Sequence, residues 1–228
     1  MKYYQDASKI DSGFAPAYRE RAELYYRAGQ YNNAISNYEK YLKLNSGSLS
    51  AKVRYASFLF LAKKYVESLN VIREIHSQDS TINFLNRLSG YCYYESAANP
   101  KDTLSYKNGL MMMEKFFSKT TPDKILASDY EYYGKILSKL GKDSLAILKL
   151  KIAIENDTTK SELYGEIGSV YYKIKKYPEA VINYMKKIAL GRGINVNDYN
   201  YLGRSYYFSS QFGKADTAFM EVVNRQPD

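Results

Sequence analysis

The side chains best suited to chemistry are few and far apart. His76 and Cys92 are the single histidine and the single cysteine among 228 residues. One of each cannot build a zinc site of the usual kind or an intrachain disulfide. A cysteine nucleophile needs an activating neighbour, and Cys92 sits beside Gly90 and Tyr93 instead, where a small buried thiol is expected. Glu162 and Glu166 are spaced to share a helical face, as paired acid and base carboxylates would be, yet no partner base accompanies them and they read as a solvated face. His76 is expected near a helix end as a surface imidazole facing the helix dipole. No phosphate loop or nucleophile elbow occurs. The chain is therefore expected not to be an enzyme and to need no cofactor or metal. The run Met111, Met112, Met113 reads as adaptable packing within a helix. Asn156, Asp157 and Thr158 form a glycosylation sequon in a turn, relevant only to a eukaryotic secretory route.

The charge balance is basic, with 33 Lys and Arg against 24 Asp and Glu and a net charge of +9. A nucleic-acid surface needs those cations clustered, and here they are interleaved with acids without a block of five like charges, so no nucleic-acid partner is expected. The longest uncharged stretch, Ala28 to Tyr38, is too short to cross a bilayer, and no membrane insertion is expected. The polar opening Lys2, Tyr3, Tyr4, Gln5, Asp6 contains no apolar leader. A lone reduced cysteine suits cytoplasm and periplasm alike, which leaves the compartment open.

What must position any site is a repeat. Residues 18–44 read YRERAELYYRAGQYNNAISNYEKYLKL and residues 164–190 read YGEIGSVYYKIKKYPEAVINYMKKIAL, with a third copy from Tyr199 and fainter ones near Leu49, Asn83 and Ala127. The period is 34. Numbered within the repeat, position 8 is Ala22, Ala56, Gly90, Gly134, Gly168 and Gly203, and position 20 is Ala34, Ser68, Gly109, Ala146, Ala180 and Ala215. Large residues fill position 11 (Tyr25, Leu59, Tyr93, Leu137, Tyr171, Tyr206) and position 24 (Tyr38, Ile72, Met113, Leu150, Tyr184, Phe219). Large meets small in register six times, as close packing of paired helices requires.

This pattern resembles the tetratricopeptide repeat over nearly the whole chain. The resemblance implies an all-α fold, a right-handed α-solenoid superhelix of antiparallel helix pairs, each pair a helix A and a helix B. One array over 1–228 is expected, with a trailing half repeat at 1–12 and repeats at 15–48, 49–82, 83–126 with an insertion, 127–160, 161–194 and 196–228. Position 4, usually Trp in the family, is Lys52 and Asn86 in the second and third repeats, which are degenerate. The third repeat carries ten extra residues. Seven lie around Ser96 to Lys101, where Asn99-Pro100 signals a loop, and three extend helix B or the turn before Pro122. One more falls in the turn from Gly191 to Gly193.

Helices are predicted at 14–28, 31–44, 49–62, 65–77, 82–96, 102–118, 123–139, 143–155, 160–174, 178–190, 195–209 and 212–225. Asp143 and Ser161 are expected N-caps, Pro178 suits a first turn, and Gly29 and Gly141 suit helix ends. The chain starts inside a repeat and stops at Pro227 without a polar capping helix, leaving Phe219, Val222 and Val223 without evident cover. It is expected to be part of a longer array, or half of an assembly covering that face.

In the family, helix A positions 2, 5, 9 and 12 point into the concave face. The matching residues are Arg19, Glu23 and Tyr26; Val53, Ser57 and Phe60; Phe84, Arg87, Tyr91 and Tyr94; Glu131, Lys135 and Ser138; Glu162, Ser169 and Tyr172; Asn197, Asn200, Arg204 and Tyr207. The expected peptide-binding set is Arg19, Tyr26, Phe60, Arg87, Tyr91, Tyr94, Lys135, Tyr172, Arg204 and Tyr207, since tyrosine gives contact area at low entropic cost and arginine pairs with carboxylates. The clamp that holds chaperone C-terminal carboxylates in this family is not matched, because Arg19, Glu23, Arg54, Phe84 and Leu88 stand at its positions. The expected function is a non-catalytic protein-interaction scaffold with a protein or peptide partner. The alternatives are a docking segment of a larger enzyme or membrane-associated assembly, and a module that self-associates through its last helix.

Overall fold

The computed structural model describes residues 1–45, 47–99, 101–191 and 193–225. Pro100 of the loop signal and Pro227 lie outside the described residues. Among the described residues there are thirteen α-helices, one 3-10 turn and no strand. They form two compact units, Met1–Lys119 and Thr120–Asp228. In the first, α1 (Lys2–Ile10), α2 (Ala15–Arg27), α3 (Tyr31–Leu44), α4 (Leu49–Leu61), α5 (Tyr65–Gln78), α6 (Asn83–Glu95) and α7 (Thr103–Ser118) each pack on the next. The second opens with the 3-10 turn Pro122–Lys124 and stacks α8 (Ala127–Lys139), α9 (Asp143–Asn156), α10 (Leu163–Lys173), α11 (Tyr177–Leu190), α12 (Val196–Phe208) and α13 (Phe212–Arg225) in the same way. Both units are all-α helical-repeat stacks of helix hairpins, in which α2, α4, α6, α8, α10 and α12 are the A helices.

The hairpin turn is set by one residue per repeat. Gly29, Lys63, Gly141, Lys175 and Ser210 all have φ between 58° and 73°. Each lets the following N–H bond the carbonyl at repeat position 11, as Gln30 does to Tyr25 and Lys176 to Tyr171, both at 2.9 Å. This satisfies a carbonyl that the helix end would otherwise leave open. The third pair, α6–α7, departs from this turn. Its loop is tied by Asp102, which accepts from Ser105 N as the N-cap of α7 and from Ala98 N across the loop. α7 has 16 residues against 14 in α3 because it starts six residues before Gly109, where α3 starts three before Ala34; beyond the small residue it is no longer than α3, so the three extra residues expected after Gly109 fall in the turn before α8.

Several expected starts shift. The helix predicted from 123 begins at Ala127, because the Asp129 carboxylate accepts from the Leu126 N–H at 2.7 Å and Pro122–Lys124 turns separately. Asp143 is the first helical residue of α9 rather than its N-cap, and its carboxylate pairs with Lys173. Ser161 does not cap α10, which starts at Leu163; it is buried in the preceding turn, and its Oγ has no hydrogen-bond partner among the described residues. Pro178 sits in the first turn of α11 as expected.

The core is built from the small-against-large register. A Cβ on Gly134 would come within 2.7 Å of Leu150 Cγ, and one on Gly168 within 2.9 Å of the Tyr184 ring. Gly90 meets Met113 and Gly203 meets Phe219 in the same fashion, while Ala22 and Ala56 are fully buried. Met113 is therefore a core residue, whereas Met111 is exposed.

Candidate functional site

The A helices carry the candidate residues, and each unit is taken by itself. In the first, Arg19 is exposed and folds back on its neighbour, its Nε and Nη2 donating to Glu20 Oε1 at 3.0 and 2.7 Å. Tyr26 is half-buried and stacked on Phe58, ring centroids 5.2 Å apart. Over both rings lies Arg54, whose guanidinium is 4.5 Å from the Tyr26 centroid and donates twice to Glu23, at 2.9 and 2.6 Å. Glu23 is on α2 and Arg54 on α4, so this bidentate pair joins successive A helices.

Phe60 packs between Tyr65 and Tyr91 at 5.6 and 5.9 Å. Tyr91 itself is only 8% exposed. Arg87 lies over the Phe116 ring of α7 at 4.5 Å, and Tyr94 contacts Tyr106 of the same helix at 6.0 Å. The trio Arg87, Tyr91 and Tyr94 is thus engaged with core aromatics on helix B of its own repeat or on the preceding A helix.

In the second unit, Lys135 donates to Glu131 Oε1 at 2.6 Å, and Lys160, before α10, donates to the other oxygen at 2.6 Å. Burial alone would raise the Glu131 carboxyl, but the two ammonium groups overcome it and hold the group below its usual range. Further along, Tyr172 of α10 packs edge-on to Tyr201 at 5.4 Å and lies beneath Arg204 at 5.4 Å. Arg204 is exposed, and Tyr207 is 54% exposed beside Phe208 and Phe212. Here an exposed cation and exposed aromatic edges adjoin on one A-helix face.

Two groups in this unit escaped sequence reasoning. Lys187 of α11 is buried and donates to Asp198 Oδ1 of α12 at 2.7 Å, while Asp198 also accepts from Asn195 N at 2.8 Å. Gly165 makes room for the lysine stem, since a Cβ there would meet Lys187 Cδ at 2.8 Å. The signal was in the register: position 27 is otherwise Tyr41, Ile75, Phe116, Ala153 and Val222, and a single lysine among them marks a buried charge that needs a partner.

The candidate catalytic groups do not assemble. Cys92 is fully buried, and that burial pushes its thiol up to about 12. Burial likewise raises the phenol of Tyr38 to about 12. His76, expected as a surface imidazole facing the helix dipole, is instead half-buried, with Nε2 lacking a hydrogen-bond partner among the described residues. Burial first, and then Lys115, push its pKa below 6.5. Glu162 and Glu166 are both exposed. Among the described residues no cluster of His, Cys, Asp and Glu could hold a metal ion, and no helix is long and apolar enough to cross a membrane.

Comparisons with known proteins agree with this architecture. The tetratricopeptide repeat profile matches residues 15–48. The Saccharomyces cerevisiae anaphase-promoting complex subunit CDC16 is 25% identical over 199 residues, 83% of this chain and 22% of that protein. The chain spans about a quarter of the length of the curated relatives it matches. The C-terminal part of a TPR repeat-containing protein from Cytophaga hutchinsonii superposes with a TM-score of 0.64 at 33% identity, covering 77% of this chain and 65% of that one. The pilF protein of Pseudomonas aeruginosa, 17% identical with a TM-score of 0.68 over 95% of this chain and 93% of its own, shares the fold. A helical repeat of this type is a protein-interaction module. Residues 15–48 match the tetratricopeptide repeat family, and the helix stack is similar to that of tetratricopeptide repeat proteins.

Proposed function

We propose that this chain is a non-catalytic scaffold, one continuous array, that holds a peptide or protein segment on its A-helix face. The observation that carries the reading is the Tyr172, Arg204 and Tyr207 face of the second unit, where an exposed guanidinium lies over one tyrosine and beside another that is 54% exposed. Such a surface supplies a bidentate donor for a carboxylate together with rigid aromatic contact area, the combination that dominates peptide interfaces. Arg19, on the first unit, adds a second exposed guanidinium, held by Glu20 until a better acceptor arrives. The burial of Cys92 and the separation of the other titratable groups support a role without catalysis.

The test is a pair of variants. Arg204→Ala with Tyr207→Ala removes exposed groups, so binding of the partner segment is expected to weaken at least about tenfold with little change in melting temperature. Tyr91→Ala empties a buried site and is expected to lower the melting temperature first. Equal affinity in the Arg204 and Tyr207 double variant would move the site off this face.

A further inference from the structure

The grooves between successive B helices can be compared at identical repeat positions. Between α9 and α11 lies a groove of about 330 Å³ bordered by Lys151, Glu155, Glu179, Asn183 and Lys186. Between α11 and α13 the same positions form a groove of about 400 Å³, where Met185, Ala189 and Ala218 replace Lys151, Glu155 and Asn183. Its floor is Tyr199, Leu202 and Tyr206. In the first unit the equivalent surface between α3 and α5 is closed by polar bonds, Lys52 Nζ to Glu74 Oε1 at 2.5 Å and Tyr55 OH to Glu39 Oε1 at 2.7 Å. The α9–α11 and α3–α5 surfaces carry charge at positions where the walls of the α11–α13 groove are apolar.

The rim of the third groove has a sign. Lys214 stands at one end, its amine over Tyr206 and, among the described residues, bonded only to the neutral Gln211. At the other end Arg225 lies 4.6 Å over Tyr199, donates to its hydroxyl at 3.0 Å and pairs at 3.3 Å with Glu221, a carboxylate that itself lines the groove, which leaves Lys214 as the unpaired charge of the rim among the described residues. The two cations are eleven residues apart on one helix, about 16 Å. The small side chains Ala189, Thr217 and Ala218 leave the walls low, and Met185, 49% exposed, gives an adaptable apolar lip.

We propose that the α11–α13 groove is a second docking surface, separate from the A-helix face, that seats the apolar ridge of a partner's amphipathic helix whose flanks are acidic. The apolar walls exclude a polar strand, the open trough fits a ridge rather than an enclosed small molecule, and the Lys214 charge on the rim selects against a basic helix.

The probe is a fluorescent synthetic amphipathic helix of about five turns with a Leu and Phe ridge flanked by glutamates, beside the same ridge flanked by lysines. Saturable binding of the glutamate-flanked peptide is expected, with a shift of the Met185 methyl resonance and at least about tenfold weaker binding of the lysine-flanked one. Ala189→Glu and Thr217→Glu, both at exposed positions, should each weaken binding by at least about tenfold while leaving the melting curve in place. Arg204→Ala with Tyr207→Ala should bind this probe normally, so failure of the A-helix reading and failure of this one are told apart. No saturable binding, unchanged affinity in both groove variants, or equal binding of the lysine-flanked peptide overturns the proposal. A concentration-dependent mass of the chain alone that Ala189→Glu abolishes would also overturn it, by assigning the groove to a second copy.

Discussion

The junction between the first two A helices and the junction between the last two solve one problem at different depths. At the first, Glu23 and Arg54 meet on the A-helix face with side chains 24% and 38% exposed, and the guanidinium covers Tyr26. At the last, Lys187 and Asp198 meet beneath that face, 8% and 6% exposed, and a tyrosine, Tyr201, stands in the register position of Arg54. Sinking the ion pair required a glycine, Gly165, to pass the lysine stem. It also leaves Tyr172, Arg204 and Tyr207 on the surface with no carboxylate bound to them among the described residues, whereas the first junction has used its own. The difference teaches that polar bonding between repeats and an open recognition surface compete for the same positions.

Depth also sets energy, and the largest expected effect follows. Asp198→Ala leaves the Lys187 ammonium buried without its partner and is expected to cost about 3 to 5 kcal/mol in denaturant unfolding. Glu23→Gln, at the shallower, half-buried pair, should cost less, about 1 kcal/mol. The double variant Lys187→Met with Asp198→Asn keeps the capping acceptor, removes both charges and should recover to within about 1 kcal/mol of the parent. If the double variant is as unstable as Asp198→Ala, the pair is not the reason for the loss and the comparison of depths fails.

The next effect concerns the small position. In the first repeat it is Ala22; in the fifth it is Gly168, below the ring of Tyr184, which stacks on Tyr201 at 5.8 Å with planes 4° apart. A ring fixed on both sides cannot swing away from a new methyl group. Gly168→Ala is therefore expected to destabilise by about 1 to 3 kcal/mol. Thermal unfolding of Gly168→Ala that matches the parent would show that the second unit packs as loosely as alanine allows in the first.

Much of this architecture was legible because the repeat is read through sterics. The pairing of Gly134 with Leu150 and of Gly168 with Tyr184 follows from a six-fold register, and the helix hairpins follow with it. What the pattern did not show is how polar groups choose among neighbours. Arg54 stood outside the expected set because it was placed by repeat position, yet it reaches Glu23 across 31 residues. Arg87 was assigned to the open face, but a guanidinium is long enough to turn back over Phe116. Tyr91 was grouped with its exposed neighbours, and the Phe60 ring on the preceding A helix covers it. The two missed caps have a related cause: Asp143 found a better partner in Lys173, and the turn before α10 closes through Asp157 and Thr159.

A smaller, stabilising change tests the turns. Gly29 and Gly141 occupy the left-handed turn position freely, while Lys175 adopts φ 61° there at a cost of about 1 kcal/mol. Lys175→Gly is expected to raise stability by up to that amount, with the Lys176 to Tyr171 bond retained. Unchanged or lower stability would mean that chain entropy in the unfolded state outweighs the relieved turn.

The smallest effect separates the two units by pH. His76, in α5, has a folded pKa below 6.5, so the unfolded chain takes up the proton first and stability is lost as the pH falls below about 6.5. Glu131, in α8, has a folded pKa below 4.5; its contribution is complete above that value and disappears only as the pH falls through the lower folded value. Hydrogen exchange should therefore show α5 amides losing protection as the pH falls below about 6.5, while α8 amides hold until below about pH 4.5. His76→Gln should flatten the first change and leave the second. Simultaneous loss in both helices would mean that the two units open as one cooperative body, and the contrast drawn between their junctions would then describe local bonding within a single unfolding event.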